Sequence, residues 1–413
     1  MELINYVIYA SIYIGLVATT FYILSYFSGN KKEKSLYKDN ELPKVSVIIP
    51  VYNEEKSIEG TLNSILTTNY SKEKFEIIVI NDGSTDRTLE IAKKFESKGV
   101  KIFSKKNGGK GSALNLGIKS AKGEIIFSMD ADTFVTPDSV KDMVRYFKNK
   151  KVMSVSPAMM LYKPKNILEK IQSIEYLLGL FLRKTFASLN AIYVTPGAFS
   201  AYRKSFFDRY GGYDEKNITE DLELALRIQS HDYIIENVPE APAYTVAPNR
   251  FIHLLKQRRR WYYGLMKNLW EYRKVIGPRY GDLGMFVIPV AIVSIFFAVF
   301  VTAYMFFKTI FNIRDELVFL SNINFDFKSV LHTNFYFIER LIFLFVTNPI
   351  VIFLSLFIIL SFFYLFYASK KTGKISGLII NIPLFFIFFA ILFGFWWIVS
   401  IVYIMFNRKI SWK

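Results

Sequence analysis

Apolar residues along this chain follow two regimes. Between Pro43 and about residue 280 they come as short runs and periodic stripes; on either side they come as long, almost uncharged blocks. The short runs predict strands at 45–49, 75–80 and 100–103, and a fourth that starts at Gly123 and ends in Asp130-Ala131-Asp132. Between them the spacing turns helical: 57–66, with Ile58, Leu62 and Leu66 on one face, about 88–95, and a stretch to about Lys119 that follows Gly108-Gly109-Lys110-Gly111. Strands alternating with helices predict an α/β domain with a mainly parallel sheet covered on both faces.

Further along, Thr136-Pro137-Asp138 predicts a helix start with Pro at the first helical position, and 152–156 another strand. Residues 165–188 put Ile167, Ile171, Ile174, Leu178 and Phe181 on one helical face, which either covers a core or lies in a membrane interface. Thr219 is placed to cap a helix that buries Leu222, Ala225 and Leu226. A last helix in this region spans about 251–275, with Gln257, Arg260 and Trp261 at i, i+3 and i+4.

The long blocks are 4–27, 284–310, 341–368 and 375–406, each reaching the roughly 20 apolar residues that a spanning helix needs. Met1-Glu2 supplies no basic region ahead of the first block, so it predicts an anchor rather than a cleaved signal. Lys31, Lys32 and Lys34 then put the following segment in the cytoplasm, and Lys370-Lys371-Thr372-Gly373-Lys374 falls on the same side. Pro383 leaves the last block open as one tilted helix or a re-entrant hairpin. The expected organisation is an anchor at 1–28, a cytoplasmic domain at 43–280 with interfacial helices, and about three membrane helices at 284–406.

Composition changes this picture little. Of 413 residues 52% are hydrophobic and 40 are Phe, as four blocks of this kind require. The net charge of +17 fits attraction to an anionic inner leaflet better than nucleic acid, given those blocks. The absence of cysteine excludes disulfides, thiolate metal sites and a cysteine nucleophile. Three histidines, His231, His253 and His332, make a multi-histidine metal centre a poor expectation.

The candidate chemistry starts at Asp130 and Asp132. Alternation along an extended chain points both the same way at the carboxyl end of an interior strand, where ligands of open α/β sheets bind. A pair of this kind suits Mg²⁺ held by one or two carboxylates plus substrate phosphate oxygens, though taken alone it more often marks a solvated loop. Glu220 and Asp221, taken alone, are ordinary first-turn acids, and the 251–275 helix is a basic amphipathic helix with Trp261 and Trp270 as interfacial anchors.

In order, Asn81-Asp82-Gly83-Ser84, Asp130-Ala131-Asp132, Thr219-Glu220-Asp221 and Gln257-Arg258-Arg259-Arg260-Trp261, followed by apolar blocks, resemble the membrane-embedded family 2 glycosyltransferases of GT-A fold. The processive synthases of poly-N-acetylglucosamine, cellulose and hyaluronan are the most similar group. The resemblance covers about residues 43–280 by motif and the apolar blocks by layout alone. It implies that Asp82 contacts the nucleotide base and ribose and that Pro50, Tyr52, Asn53 and Glu54 line the same pocket. It implies Lys110 near the nucleotide or diphosphate, Asp130 near the sugar, and Asp132 as ligand of Mg²⁺ or Mn²⁺. Asp221 matches the general base; Glu220, Gln257, Arg260 and Trp261 match the groups around the diphosphate and the acceptor. Residues 195–200 stand where the family has an acceptor-binding loop, without copying any one member.

These residue types suit the chemistry. A divalent cation neutralises a diphosphate leaving group, Arg binds phosphate bidentately, and a carboxylate takes the proton of an acceptor hydroxyl. The expected activity is therefore inverting transfer from a nucleotide sugar, UDP-linked by family habit, to a growing β-linked glycan with coupled export. Transfer of one sugar to a lipid carrier, and a non-catalytic membrane protein, stand as alternatives, and need for an accessory subunit is left open.

Overall fold

The computed structural model describes residues 3–28, 36–322, 349–372 and 378–406. Lys31, Lys32, Lys34, His332, Gly373 and Lys374 lie outside the described residues, as does the start of the third apolar block at 341–348. The chain divides into two compact units, one of Ser25–Ile288 with Ser400–Lys413, the other of Met1–Leu24 with Pro289–Val399.

The first unit is built on an eight-stranded sheet: β1 Val45–Val51, β2 Phe75–Asn81, β3 Val100–Ser104, β4 Ile125–Met129, β5 Phe134–Val135, β6 Val152–Leu161, β7 Phe199–Arg203 and β8 Ile234–Thr245. Their order is β3-β2-β1-β4-β7-β6-β8-β5. The pairings β1/β2, β1/β4, β2/β3 and β6/β8 are parallel; β4/β7, β6/β7 and β5/β8 are antiparallel. Strand alternation supplies both faces. In β1, Val47 and Ile49 pack toward the helix Ile58–Leu66, through Ile58, Leu62 and Ile65. Ile48 packs the other way, with Ala113, Leu114 and Ile118 of the helix Lys110–Ser120. Contact there is close: a Cβ on Gly117 would sit 2.3 Å from Ile48 Cγ2, so no larger residue fits.

Three expectations differ in detail. The fourth strand stops at Met129, because the chain turns as soon as β7 pairing ends at Met129↔Phe199, so Asp130 and Asp132 belong to the turn beyond the strand. The next helix starts at Ser139 with Asp138 as its cap, which puts Pro137 ahead of the helix rather than at its first position. Thr219 does precede the helix Glu220–Ser230, but its side chain makes no capping bond. The amphipathic stretch at 165–188 forms the helix Ile167–Ser188, started by a capping box in which Asn166 Oδ1 accepts from Glu169 N at 2.8 Å. Its Ile171, Ile174 and Phe181 are buried.

The second unit is helical. Among the described residues three helices are long and apolar enough to cross a membrane: Ile4–Ser28, Leu283–Asn322 and Ile380–Met405. A further helix, Pro349–Thr372, lies in the third apolar block. Within the last block, Leu378–Met405 is one continuous helix through Pro383. Small residues let these helices approach closely: a Cβ on Gly394 would fall 1.8 Å from Thr302 Oγ1.

Candidate active site

Parallel strands end their carboxyl termini along one edge, and the loops leaving β1, β2 and β4 meet there. They enclose a cleft of about 500 Å³ lined by Pro50, Tyr52, Glu54, Asp82, Lys110, Asp130 and Asp132, together with Val51, Asn107, Gly109 and Ala131. Seven of the eight donor-side residues expected from sequence thus share one cavity. The eighth, Asn53, braces it: at φ 55° its Oδ1 accepts from Thr85 N at 2.8 Å, tying the β1 loop to the β2 loop. Such a left-handed residue is tolerated best by Asn and Gly.

Asp82 is 3% exposed and fully engaged. Its carboxylate accepts from Lys105 Nζ at 2.8 Å, from Gly108 N at 3.0 Å and from Gly109 N at 2.8 Å. The loop between β3 and the helix Lys110–Ser120 is therefore folded onto this acid, a role that the sequence pattern alone does not disclose. Gly108-Gly109 stands out as a turn, but not what its amides reach.

Lys110 is the electrostatic hinge of the site. Its Nζ lies 2.6 Å from Asp130 Oδ1 and 3.3 Å from Glu220 Oε1, and donates to Gly197 O at 3.1 Å. Burial pulls the ammonium pKa down, but Asp130, Glu220 and Asp221 together outweigh it and the pKa is raised. Burial raises the Glu220 carboxyl, against the pull of Lys110. No such ion pair to Asp132 is formed among the described residues, and Lys110 acts on it only as a nearby charge. Burial first, then the charges of Asp130 and Glu54, push it up to about 7. A carboxylate held up in this way, beside a second one, is stabilised by a divalent cation. No cluster of three or more His, Cys, Asp or Glu among the described residues could hold a metal alone. The residues therefore fit an ion whose shell is completed by substrate oxygens, the usual habit of Mg²⁺.

Asp221 approaches from the other side. A Cβ on Gly197 would lie 2.5 Å from its Oδ2, so the 195–200 segment is pressed against this carboxylate. Thr195 Oγ1 also donates to the Asp221 carbonyl at 3.1 Å. Ala198 O accepts from Asp130 N at 2.8 Å, so one loop touches both acidic motifs. Of the expected helix residues, Arg260 bonds Ile218 O at 3.3 Å and acts electrostatically on Glu220. Gln257 and Trp261 do not line the cleft. The Gln257 side-chain oxygen is buried with no hydrogen-bond partner among the described residues. Trp261 carries the Arg258 guanidinium over its ring at 4.2 Å, and Arg258 is itself 2.6 Å from Glu175.

Comparison with known proteins agrees with this geometry. The family described as Glycosyl transferase family 2 matches residues 46–211. A poly-β-1,6-N-acetyl-D-glucosamine synthase of Staphylococcus aureus (strain COL) is 33% identical over 267 residues, 63% of this chain and 64% of the relative. The chain thus covers somewhat less than two thirds of the length of that relative. The enzyme of the same name from Staphylococcus epidermidis is 31% identical over 284 residues, 66% of this chain and 68% of the relative. Among solved structures, a mannosyltransferase from Pyrobaculum calidifontis, described in complex with GDP-Man and Mn²⁺, superposes with a TM-score of 0.55 at 20% identity, covering 89% of this chain and 98% of that one. That structure shares the α/β fold. With the acidic motifs converging on one edge of the sheet and this extent of shared sequence, the chain belongs to glycosyl transferase family 2.

Proposed function

We propose that the protein is an inverting, processive polysaccharide synthase of the cell membrane, which transfers N-acetylglucosamine from UDP-N-acetylglucosamine to a growing β-linked glycan. The observation that carries this reading is the single ammonium of Lys110, which ion-pairs with Asp130 of the donor motif and Glu220 of the acceptor motif at once. A donor in the cleft and an acceptor at Asp221 are thereby held in one electrostatic frame. The sugar is suggested by the names of the staphylococcal relatives and by the Gln257, Arg260 and Trp261 pattern.

Asp132, with Asp130 beside it, would hold Mg²⁺ or Mn²⁺. When bound, that ion supplies Lewis-acid neutralisation of the diphosphate. The chain's own residues do the rest. Asp221 accepts the proton of the acceptor hydroxyl as its oxygen forms a bond to the anomeric carbon, while the bond from that carbon to the diphosphate oxygen breaks and UDP leaves with the electron pair. Attack from the face opposite the leaving group inverts the centre. A positioned base of this kind contributes about 10²–10⁴-fold. Arg260 is the residue suited to the diphosphate, because a guanidinium binds two phosphate oxygens together. The orphan Gln257 oxygen is a ready acceptor for a sugar hydroxyl, since leaving it unpaired costs about 1–3 kcal/mol. We further propose a cytoplasmic catalytic unit at about 43–280 between an anchor at 1–28 and a membrane region at 284–406 that conducts the product outward.

The test is product analysis with purified protein in detergent, Mn²⁺ or Mg²⁺, and radiolabelled UDP- and GDP-sugars. High-molecular-weight material from UDP-N-acetylglucosamine alone is expected. A single sugar on a lipid would replace processive synthesis with one-step transfer; no turnover with any donor would overturn the proposal for the chain acting without an accessory subunit.

A further inference from the structure

The residues ahead of the Glu220-Asp221 pair are held by something the donor cleft does not explain. Thr219 leaves its capping position unused. Its hydroxyl instead donates to Asn217 Oδ1 at 3.3 Å and accepts from Asn268 Nδ2 at 2.9 Å. Its backbone N–H also goes to Asn217 Oδ1, at 3.1 Å. Asn217 Nδ2 donates to Asn268 Oδ1 at 2.7 Å, closing the set. All three side chains are buried, at 5%, 3% and 0% exposure for Asn217, Thr219 and Asn268. Asn268 lies on the helix Phe251–Glu271 that also carries Arg260.

That helix meets this segment along one row of residues spaced by four. Arg260 reaches Ile218 O at 3.3 Å. Gly264 gives Thr219 its space, since a Cβ there would lie 2.2 Å from Thr219 Oγ1. Asn268 binds Asn217 and Thr219. Tyr272, at the C-terminal end, donates its hydroxyl to Glu223. Residues four apart on a helix share a face, so the row forms a continuous seam against 217–223.

We propose that Asn268 is a positioning residue for transfer: through Asn217 and Thr219 it sets where the first turn of the Glu220–Ser230 helix begins, and so where Asp221 stands relative to Arg260. The inference rests on Asp221 as the base. The seam fixes the proton acceptor and the arginine as one body. A buried amide pair does this well, because each group has one partner geometry and an unmet one is penalised. Among the described residues the Asn268 side chain hydrogen-bonds Asn217 and Thr219 and no residue lining the donor cleft, so its loss is expected to act on the chemical step more than on the donor pocket.

The experiment uses the full-length protein in detergent with UDP-N-acetylglucosamine and Mn²⁺, measuring kcat per folded molecule, donor KM, UDP affinity and the melting midpoint. Asn268→Ala is expected to lower kcat by about 10–100-fold, the scale of a misplaced reacting group, with donor KM and UDP affinity within about twofold. Thr219→Val removes only the hydroxyl and should lower kcat similarly, whereas Thr219→Ser should keep most of it. A merely structural role would lower the folded fraction without this hydroxyl dependence. Asn268→Ala with kcat within about twofold of the parent, or equal kcat in Thr219→Val and Thr219→Ser, would overturn the proposal. If Asn268→Ala does not fold, the two Thr219 variants decide. Asp221→Asn is run alongside: activity in that variant sinks the base assignment, whereas an inactive Asp221→Asn with an active Asn268→Ala sinks the seam alone.

Discussion

On the donor side, Glu54, Asp82, Lys110, Asp130 and Asp132 put one positive and four negative formal charges around a single cleft, with Lys105 set against Asp82 from behind. The seam between 217–223 and the Phe251–Glu271 helix is centred on neutral groups, two amides and a hydroxyl, shielded from solvent. The two sides make different demands. A cluster with surplus negative charge repels itself and is relieved by a cation, so it is suited to binding and release. A closed neutral network has no such surplus and is satisfied in the resting protein, so it is suited to holding a geometry. Lys110 belongs to both, through Asp130 on one side and Glu220 on the other.

The largest effect that tests this contrast is expected at Asp221. Asp221→Asn should lower transfer by about 10²–10⁴-fold and leave UDP binding by titration near that of the parent. Near-normal turnover would remove the acid from the reaction. Next comes Lys110→Met, which leaves three acids without their common cation. Breaking a buried pair from one end costs about 3–5 kcal/mol, so a marked drop in melting midpoint with lost activity is expected. An unchanged midpoint would mean that the two sides are not joined through this residue.

Asp132 sharpens the comparison through pH. Its folded pKa, about 7, lies above the ordinary value of 3.8. Between those values the folded protein holds a proton that the unfolded chain has released, so stability falls as pH rises through this window. The penalty is fully present above about 7 and absent below the ordinary value. In EDTA the melting midpoint of Asp132→Asn should therefore gain on the parent as pH rises from acid to about 8, and an equal gap at every pH would argue against the assignment. Mn²⁺ with UDP should narrow the gap, and Asp132→Asn should bind UDP with less metal dependence than the parent. The smallest effect is expected from Trp261→Ala. It lies outside the cleft, so chain elongation should suffer more than donor hydrolysis. Equal loss of both would remove the acceptor role proposed for it.

Much of the donor side was readable from residue order. Val45–Val51 and Phe75–Asn81 are β-branched runs that report themselves locally, and the acids that follow them fall at strand ends by that fact alone. The strand Phe199–Arg203 was not readable. Its five residues follow a loop-forming stretch, and it becomes a strand by inserting antiparallel between β4 and β6. That insertion makes the sheet mixed and turns the 195–200 segment toward Asp130 and Asp221. The engagement of Asp82 by Gly108 and Gly109 was equally hidden, since the partners stand 26 and 27 positions away.

Local chemistry, then, carried the family, the α/β class, the apolar blocks and the identity of the acidic motifs, because strand runs, turn residues and charge placement act over a few positions. What waited for the folded chain were the contacts between distant segments: Lys110 with Glu220, Gly197 with Asp221, and Asn217 with Asn268 across 51 positions. Periodicity says which face a residue occupies. It does not say what the face meets, because partner and distance are set by how the helices and sheet pack, and hydrogen bonds and desolvated charges are decided over a few tenths of an ångström.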